Sequence, residues 1–355
     1  MLTKENVLKA LSHVEDPDFK KDLVTLNMIK DIHIEGNNLN FTLELTTPAC
    51  PMKDFLERAC RNAISHFIST DVQVEIQITS QVRTSHNNAL PNIKNIILIS
   101  SGKGGVGKST VAANLALELS RQGAKTGLLD ADIYGPSVPL MFGLEGAKPQ
   151  STQTADGKSK ILPIEKWGLK LLSIGFFTDP NQPVPWRGPM ASSAIRQLFN
   201  DVEWGELDYL IVDLPPGTGD IHITIAQNYP ISGAVIVTTP QEVALADAQK
   251  GIAMFLMDTI HIPLIGVIEN MAYFTPEELP ENKYYIFGKG GGAKLASQYQ
   301  TTVLGQIPLI MGIRESGDLG IPIVLEEDTL SAQIFGEIAG KVAQQVSIIN
   351  SKELV

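Results

Sequence analysis

A chain of 355 residues, 43% apolar and 19% charged, has enough apolar surface for one large α/β domain and a second small one. Its net charge is −11 and neither part is basic: residues 1–88 hold 9 Lys and Arg against 12 Asp and Glu, and the remainder 19 against 27, which argues against binding nucleic acid through its phosphates. No apolar run reaches the ~18 residues of a membrane span, residues 1–10 carry Lys4, Glu5 and Lys9 in place of an apolar signal core, and two cysteines make no disulfide framework. A cytoplasmic protein with neither a membrane nor a nucleic-acid partner is expected.

Residues 1–80 read as a small α+β unit of order α-β-β-α-β. Thr3 to Leu11 is a predicted helix. Ile32 and Ile34 alternate with polar residues, Asn37-Asn38 is expected to turn the chain, and Leu39, Phe41, Leu43 and Leu45 alternate again, giving a hairpin with one buried face. Thr46-Thr47-Pro48-Ala49-Cys50-Pro51 breaks the pattern. A helix from Met52 to about Ile68 follows, with Leu56, Cys60, Ala63, Ile64 and Phe67 as its apolar stripe. Val72, Val74, Ile76 and Ile78 give a last strand, and the polar residues 81–92 a linker. Cys60 lies on the stripe and is expected in the core. Cys50 stands at the start of the helix, where the dipole is expected to lower its pKa. Two roles fit it, a reactive or cluster-binding thiol and a small packed residue. The element order and the Thr-Pro-Ala-Cys-Pro run resemble the small domain of the SufT family of iron–sulfur assembly factors.

From residue 93 to the end, buried strands alternate with helices. Near-continuous apolar runs at Ile96–Ser100, Thr126–Asp130, Leu169–Ile174, Tyr209–Asp213, Ala234–Thr238, Leu264–Glu269 and Val303–Ile307 suit a mostly parallel, doubly wound sheet covered on both faces. Thr329 to Val346 is a predicted helix whose polar side carries only Glu337 and Lys341, the pattern of a packing helix rather than a basic membrane anchor.

The run Ser101-Gly102-Lys103-Gly104-Gly105-Val106-Gly107-Lys108-Ser109-Thr110 lies between the first of these strands and an amphipathic stretch, Val111 to Leu119. Gly102, Gly107, Lys108 and Ser109 meet the Gly-x4-Gly-Lys-Ser/Thr phosphate-loop pattern. Its glycines let backbone N–H groups face an anion, and the helix N-terminus adds partial positive charge. Lys108 is expected on the β- and γ-phosphates of ATP and the Ser109 hydroxyl on Mg²⁺. With its second lysine, Lys103, the run resembles the deviant Walker A loop of the MinD, ParA, ArsA and nitrogenase iron-protein class. In that class the early lysine reaches the partner's phosphates, so the resemblance implies an ATP-dependent homodimer.

Leu128-Leu129-Asp130-Ala131-Asp132 ends a strand. Asp132 matches the class position that orients the attacking water, a task suited to a carboxylate; a helix-capping role fits it as well. Tyr209-Leu210-Ile211-Val212-Asp213 is a Walker B strand ending in an acid at the edge where ligands sit, and Asp213 is expected to hold Mg²⁺ through water. Leu214-Pro215-Pro216-Gly217-Thr218-Gly219-Asp220 then reads as a mobile switch. Asn270 matches the position whose amide reads adenine, and a turn former fits it too. Arg314 suits either the wall of the base pocket or a surface salt bridge.

Several segments together are more specific: Trp186-Arg187-Gly188-Pro189-Met190, Asp213 to Asp220, Glu269-Asn270-Met271, Ile286 to Gly292 and Ile313 to Asp318. They resemble the Mrp (ApbC/Nbp) iron–sulfur cluster carrier ATPases over residues 93 to about 345. The resemblance implies slow ATP hydrolysis coupled to delivery of a labile cluster to apoprotein clients, alone or with other assembly factors. Many relatives carry Cys-x-x-Cys just before the Ile-Phe-Gly segment. Here residues Phe274 to Lys283 contain neither cysteine nor histidine, and clusters are held mainly by thiolates. Two further readings are a MinD- or ParA-like positioning switch, disfavoured by the acidic charge, and a reductase like the nitrogenase iron protein, which needs interface cysteines.

Overall fold

The computed structural model describes residues 2–84, 90–153, 157–178, 186–276, 278–279 and 281–352; residues 85–89 of the expected linker and Glu277 and Pro280 of the cysteine-free segment lie outside them. The chain divides into two compact units, Met1–Arg83 with Ala343–Val355 and Thr84–Val342.

The first unit opens with α1 (Lys4–Leu11), capped by Thr3, whose Oγ1 accepts from the Asn6 N–H at 3.2 Å. After a short antiparallel pair, β1 (Glu15–Asp16) and β2 (Lys21–Asp22), come β3 (Ile29–Glu35), β4 (Asn38–Leu45), α2 (Lys53–Phe67) and β5 (Gln73–Ser80). In the sheet β4 is central, antiparallel to β3 and parallel to β5. A parallel neighbour needs a crossover, and α2 supplies it. Glu35 pairs with Asn38, so Gly36-Asn37 makes the turn, one residue earlier than expected. Gly36 has φ +61°, a left-handed conformation that glycine adopts without strain. Leu39, Phe41, Leu43 and Leu45 pack with Leu56, Cys60 and Ile64 of α2 into one core.

The second unit is built on an eight-stranded sheet. It contains β6 (Ile93–Ser100), β7 (Thr126–Asp130), β10 (Ile164–Lys166), β11 (Leu169–Ser173), β12 (Leu207–Asp213), β13 (Ile231–Thr238), β14 (Leu264–Asn270) and β15 (Val303–Ile307), in the order β10-β11-β7-β12-β6-β13-β14-β15. All seven expected strands are present and parallel. The edge strand β10 is antiparallel and was not expected, nor was a separate hairpin of β8 (Ser151–Gln153) and β9 (Ser159–Ile161). The helices are α3 (Lys108–Arg121), α4 (Val138–Met141), α5 (Gly188–Asn200), α6 (Asp220–Asn228), α7 (Glu242–Phe255), α8 (Gly291–Gln298) and α9 (Met311–Asp318). The last helix, α10 (Leu330–Lys352), runs six residues beyond its expected end. Its final part belongs to the first unit: Gln344 Nε2 donates to Asp18 Oδ1 at 2.6 Å and Asn350 Nδ2 to the Arg83 carbonyl at 3.2 Å. Among the described residues no helix is long and apolar enough to cross a membrane.

Every strand of the parallel set ends on the same edge of the sheet. The glycine-rich loop follows β6, Asp130 and Asp132 follow β7, Asp213 closes β12 and Asn270 closes β14. Residues as distant in sequence as Ser101 and Asn270 therefore meet at one edge, where ligands bind in open α/β sheets.

Candidate functional site

The loop after β6 is held by close approach of other backbone and side chains. A Cβ on Gly102 would lie 2.1 Å from the Asp247 carbonyl carbon in α7, and one on Gly107 would lie 2.2 Å from Asn270 Nδ2. Gly107 also has φ +81° as it starts α3. Both glycines are thus required by space, and Gly107 by backbone freedom as well. Asn270 Nδ2 donates to the Val106 carbonyl at 2.8 Å, bracing the loop from β14. The Gly217 N–H donates to the Ser101 carbonyl at 2.9 Å, tying the segment after β12 to the loop's first residue. Lys103 is partly exposed, and its carbonyl accepts from the Ser101 hydroxyl at 3.0 Å.

Lys108 is the hub of the site. Its buried Nζ lies 2.6 Å from Asp213 Oδ1, 3.2 Å from Ser109 Oγ and 3.7 Å from Asp132 Oδ2. The structure thus brings together the four groups expected to handle phosphate, metal and water. Asp213 is wholly buried, and its second oxygen, Oδ2, has no hydrogen-bond partner. A buried carboxylate oxygen left without a donor is unfavourable and fits a cation ligand. Burial raises the Asp132 pKa above the ordinary carboxylate value, against the pull of Lys108.

Asn270 and Arg314 both line a cleft of about 250 Å³ beside the loop. Gly107 and Thr110 form one side, and Leu309, Ile310 and Ile313 the other. Apolar walls with a few polar groups suit a flat base. Arg314 also pairs on the surface with Asp318 at 2.8 Å and Glu315 at 2.9 Å, the surface salt bridge that was one of the two readings offered for it.

Sequence reasoning missed two residues. Asp130 is entirely buried, and desolvation, with the Asp213 charge adding to it, pushes its carboxyl up to about 7. The acid spacing Asp-Ala-Asp at the end of β7 was the available signal. His222 in α6 is 1% exposed, and the backbone of Gly219 and Pro215 lies beside its ring. Burial lowers its pKa to about 4. The folded state therefore favours the neutral ring. That contribution is complete above the unfolded value near 6.5 and is lost as pH falls toward 4, by about 3 kcal/mol at 1.36 kcal/mol per unit. In denaturant titrations between pH 7 and 4, His222→Gln should flatten the acid limb of stability; an unchanged slope would show that the ring titrates normally.

The comparisons agree with this geometry. Residues 92–343 match the family described as NUBPL iron-transfer P-loop NTPase, and residues 4–77 the family described as iron–sulfur cluster assembly protein. The iron–sulfur cluster carrier protein of Synechocystis sp. is 48% identical over 355 residues, covering 98% of this chain and 99% of its own length. That of Deinococcus radiodurans is 45% identical over 350 residues, covering 98% and 97%. The chain belongs to the iron–sulfur cluster carrier family of P-loop NTPases. A solved nucleotide-binding protein from Archaeoglobus fulgidus, in complex with ADP, is 38% identical with a TM-score of 0.58, over 68% of this chain and 92% of that one.

Both thiols of the chain are withdrawn from water. Cys60 is fully buried in the small unit's core, and burial pushes its pKa up to about 12. Cys50 is half-buried two residues before the α2 cap. Its pKa was expected to fall, yet desolvation pushes it up to about 11. Backbone N–H groups of Met52 and Lys53 act in the expected direction, but loss of water outweighs them and the charges of Asp16 and Asp18 add to it. Among the described residues no group of three or more His, Cys, Asp or Glu side chains is placed to hold a metal ion. In the segment without cysteine, Phe274 and Tyr284 exchange backbone hydrogen bonds of 2.8 Å, and both rings are exposed.

Proposed function

We propose that the chain is an ATP-hydrolysing, nucleotide-gated homodimer that delivers iron–sulfur clusters to apoproteins. The observation that carries the nucleotide half is the position of Lys108 among Ser109, Asp132 and Asp213 at the mouth of the glycine-rich loop. The delivery half is supported by carrier relatives that match the full length of the chain. In this reading Gly102, Gly104, Gly105, Val106, Gly107 and Thr110 enclose the phosphates of ATP by backbone N–H groups, Asn270 and Arg314 border its base, and Asp132 orients water. Ser109 and Asp213 would hold Mg²⁺, which neutralises phosphate charge when bound. Lys103, on an open glycine loop, serves the nucleotide of a second copy.

The cargo is a substrate, and the chain alone offers it few ligands. One half-buried thiol per copy, held mostly protonated, cannot complete a cluster's thiolate set. Donor and client proteins therefore supply most of the thiolates, and ATP binding sets when they meet. ATP should accelerate transfer from a cluster-loaded donor to an apo client, followed anaerobically by circular dichroism. Cys50→Ser should leave that rate within about twofold, because one thiol per copy is a small part of a cluster's thiolate set. Equal transfer with and without ATP would sink the reading.

A further inference from the structure

Both ends of the loop between β7 and α4 return to one carboxylate. Asp130 closes β7 in register with Ser173 of β11 on one side and Asp213 of β12 on the other. Its Oδ1 accepts from the Asp132 N–H at 3.2 Å, and its Oδ2 from the Val138 N–H at 3.2 Å and the Ser173 hydroxyl at 2.9 Å. Between these anchors Tyr134 is 64% exposed and Gly135 is exposed too, so the loop's middle faces solvent while its ends are fixed. Lys108 attracts the Asp130 carboxylate, but its ion pairs are with Asp132 and Asp213. A fully buried carboxylate beside that of Asp213 works against stability. A strand end with no further task is better served by a neutral side chain, and acids kept in such places cluster at functional sites.

We infer that Asp130 is a positioning residue for hydrolysis: it clips the loop so that the Asp132 carboxylate stands beside Lys108. This rests on reading Asp132 as the group that orients the attacking water. The clip acts at one bond's remove, since the Asp132 backbone N–H is the group Asp130 grips while the Asp132 side chain points to the Lys108 ammonium. Ser173 supports it from the neighbouring strand, filling a lone pair that the loop leaves free.

Asp130→Asn preserves shape but places an NH₂ group where a donor already points, so one anchor fails. In the full-length chain kcat for ATP should fall roughly ten- to a hundredfold, the range expected for misplacing a reacting group by about an ångström, with KM for ATP within about twofold. Ser173→Ala leaves both backbone anchors and should lower kcat severalfold. In an Asp132→Ala background neither change should lower kcat further, because what they position is gone. A merely structural residue would lower kcat in both backgrounds alike, along with the melting temperature. Unchanged kcat in Asp130→Asn, or losses that multiply fully with that of Asp132→Ala, would overturn the inference. If Asp130→Asn does not fold, Ser173→Ala carries the same cycle with the carboxylate intact. If Asp132→Ala alone turns over like the wild type, the reading of Asp132 fails and takes the clip with it; an impaired Asp132→Ala beside a silent Asp130→Asn rejects the clip alone.

Discussion

Replacing Lys108 with alanine should abolish measurable ATP binding, with an affinity loss of at least about thirtyfold, since truncating one partner of a buried charge pair costs about 2–5 kcal/mol. The same substitution should also lower the stability of the nucleotide-free protein. Lys108 Nζ is the only described cation within ion-pair distance of the buried Asp213, at 2.6 Å. Its removal leaves Asp213 with neither oxygen partnered, and an uncompensated buried charge is destabilising. Calorimetric titration with ATP and Mg²⁺ checks the first effect and thermal melting the second. An alanine variant with wild-type affinity would remove the glycine-rich loop as the phosphate site.

Asp132→Ala should slow hydrolysis by about 10²- to 10⁴-fold, the usual contribution of a positioned acid or base, while leaving ATP affinity close to that of the wild type. The carboxylate lies at the edge of the Lys108 cluster, 3.7 Å from Nζ against 2.6 Å for Asp213, so it adds little to holding that lysine. The backbone N–H groups of Tyr134 and Gly135 lie beside the carboxylate and favour its charged form. Single-turnover measurements with saturating enzyme separate the two quantities, and an undiminished rate would reject the role.

The parallel sheet was legible because strands covered on both faces must be apolar throughout, and β6, β7 and β12 are buried over almost every residue. The strand β10 escaped notice because Ile164, Glu165 and Lys166 form only three edge pairs with β11 and show no apolar run. Its place is decided by its partner rather than by its own residues. The loop glycines announced phosphate binding, but not that Gly102 packs on α7 or that Gly107 makes room for Asn270. Asn270 itself offered two readings, and the distance to Val106 adds a third, a brace for the loop. Cys50 shows where local rules run out: proximity to a helix start is visible in sequence, whereas the water displaced around the thiol depends on the whole unit. Asp130 was hidden for the same reason, since its three donors come from the loop, the helix and a strand 43 residues away.

The last helix has a consequence for how the protein is made. Because Ala343–Val355 belongs to the same compact unit as Met1–Arg83, that unit is built from two segments with the whole of the other unit between them in sequence. Its contacts are complete only when Gln344 and Asn350 have reached Asp18 and Arg83. A cut at the linker would leave two fragments, and the amino-terminal one would be missing its closing helix. Removing only residues 343–355 should expose the amino-terminal unit to protease before it affects nucleotide binding.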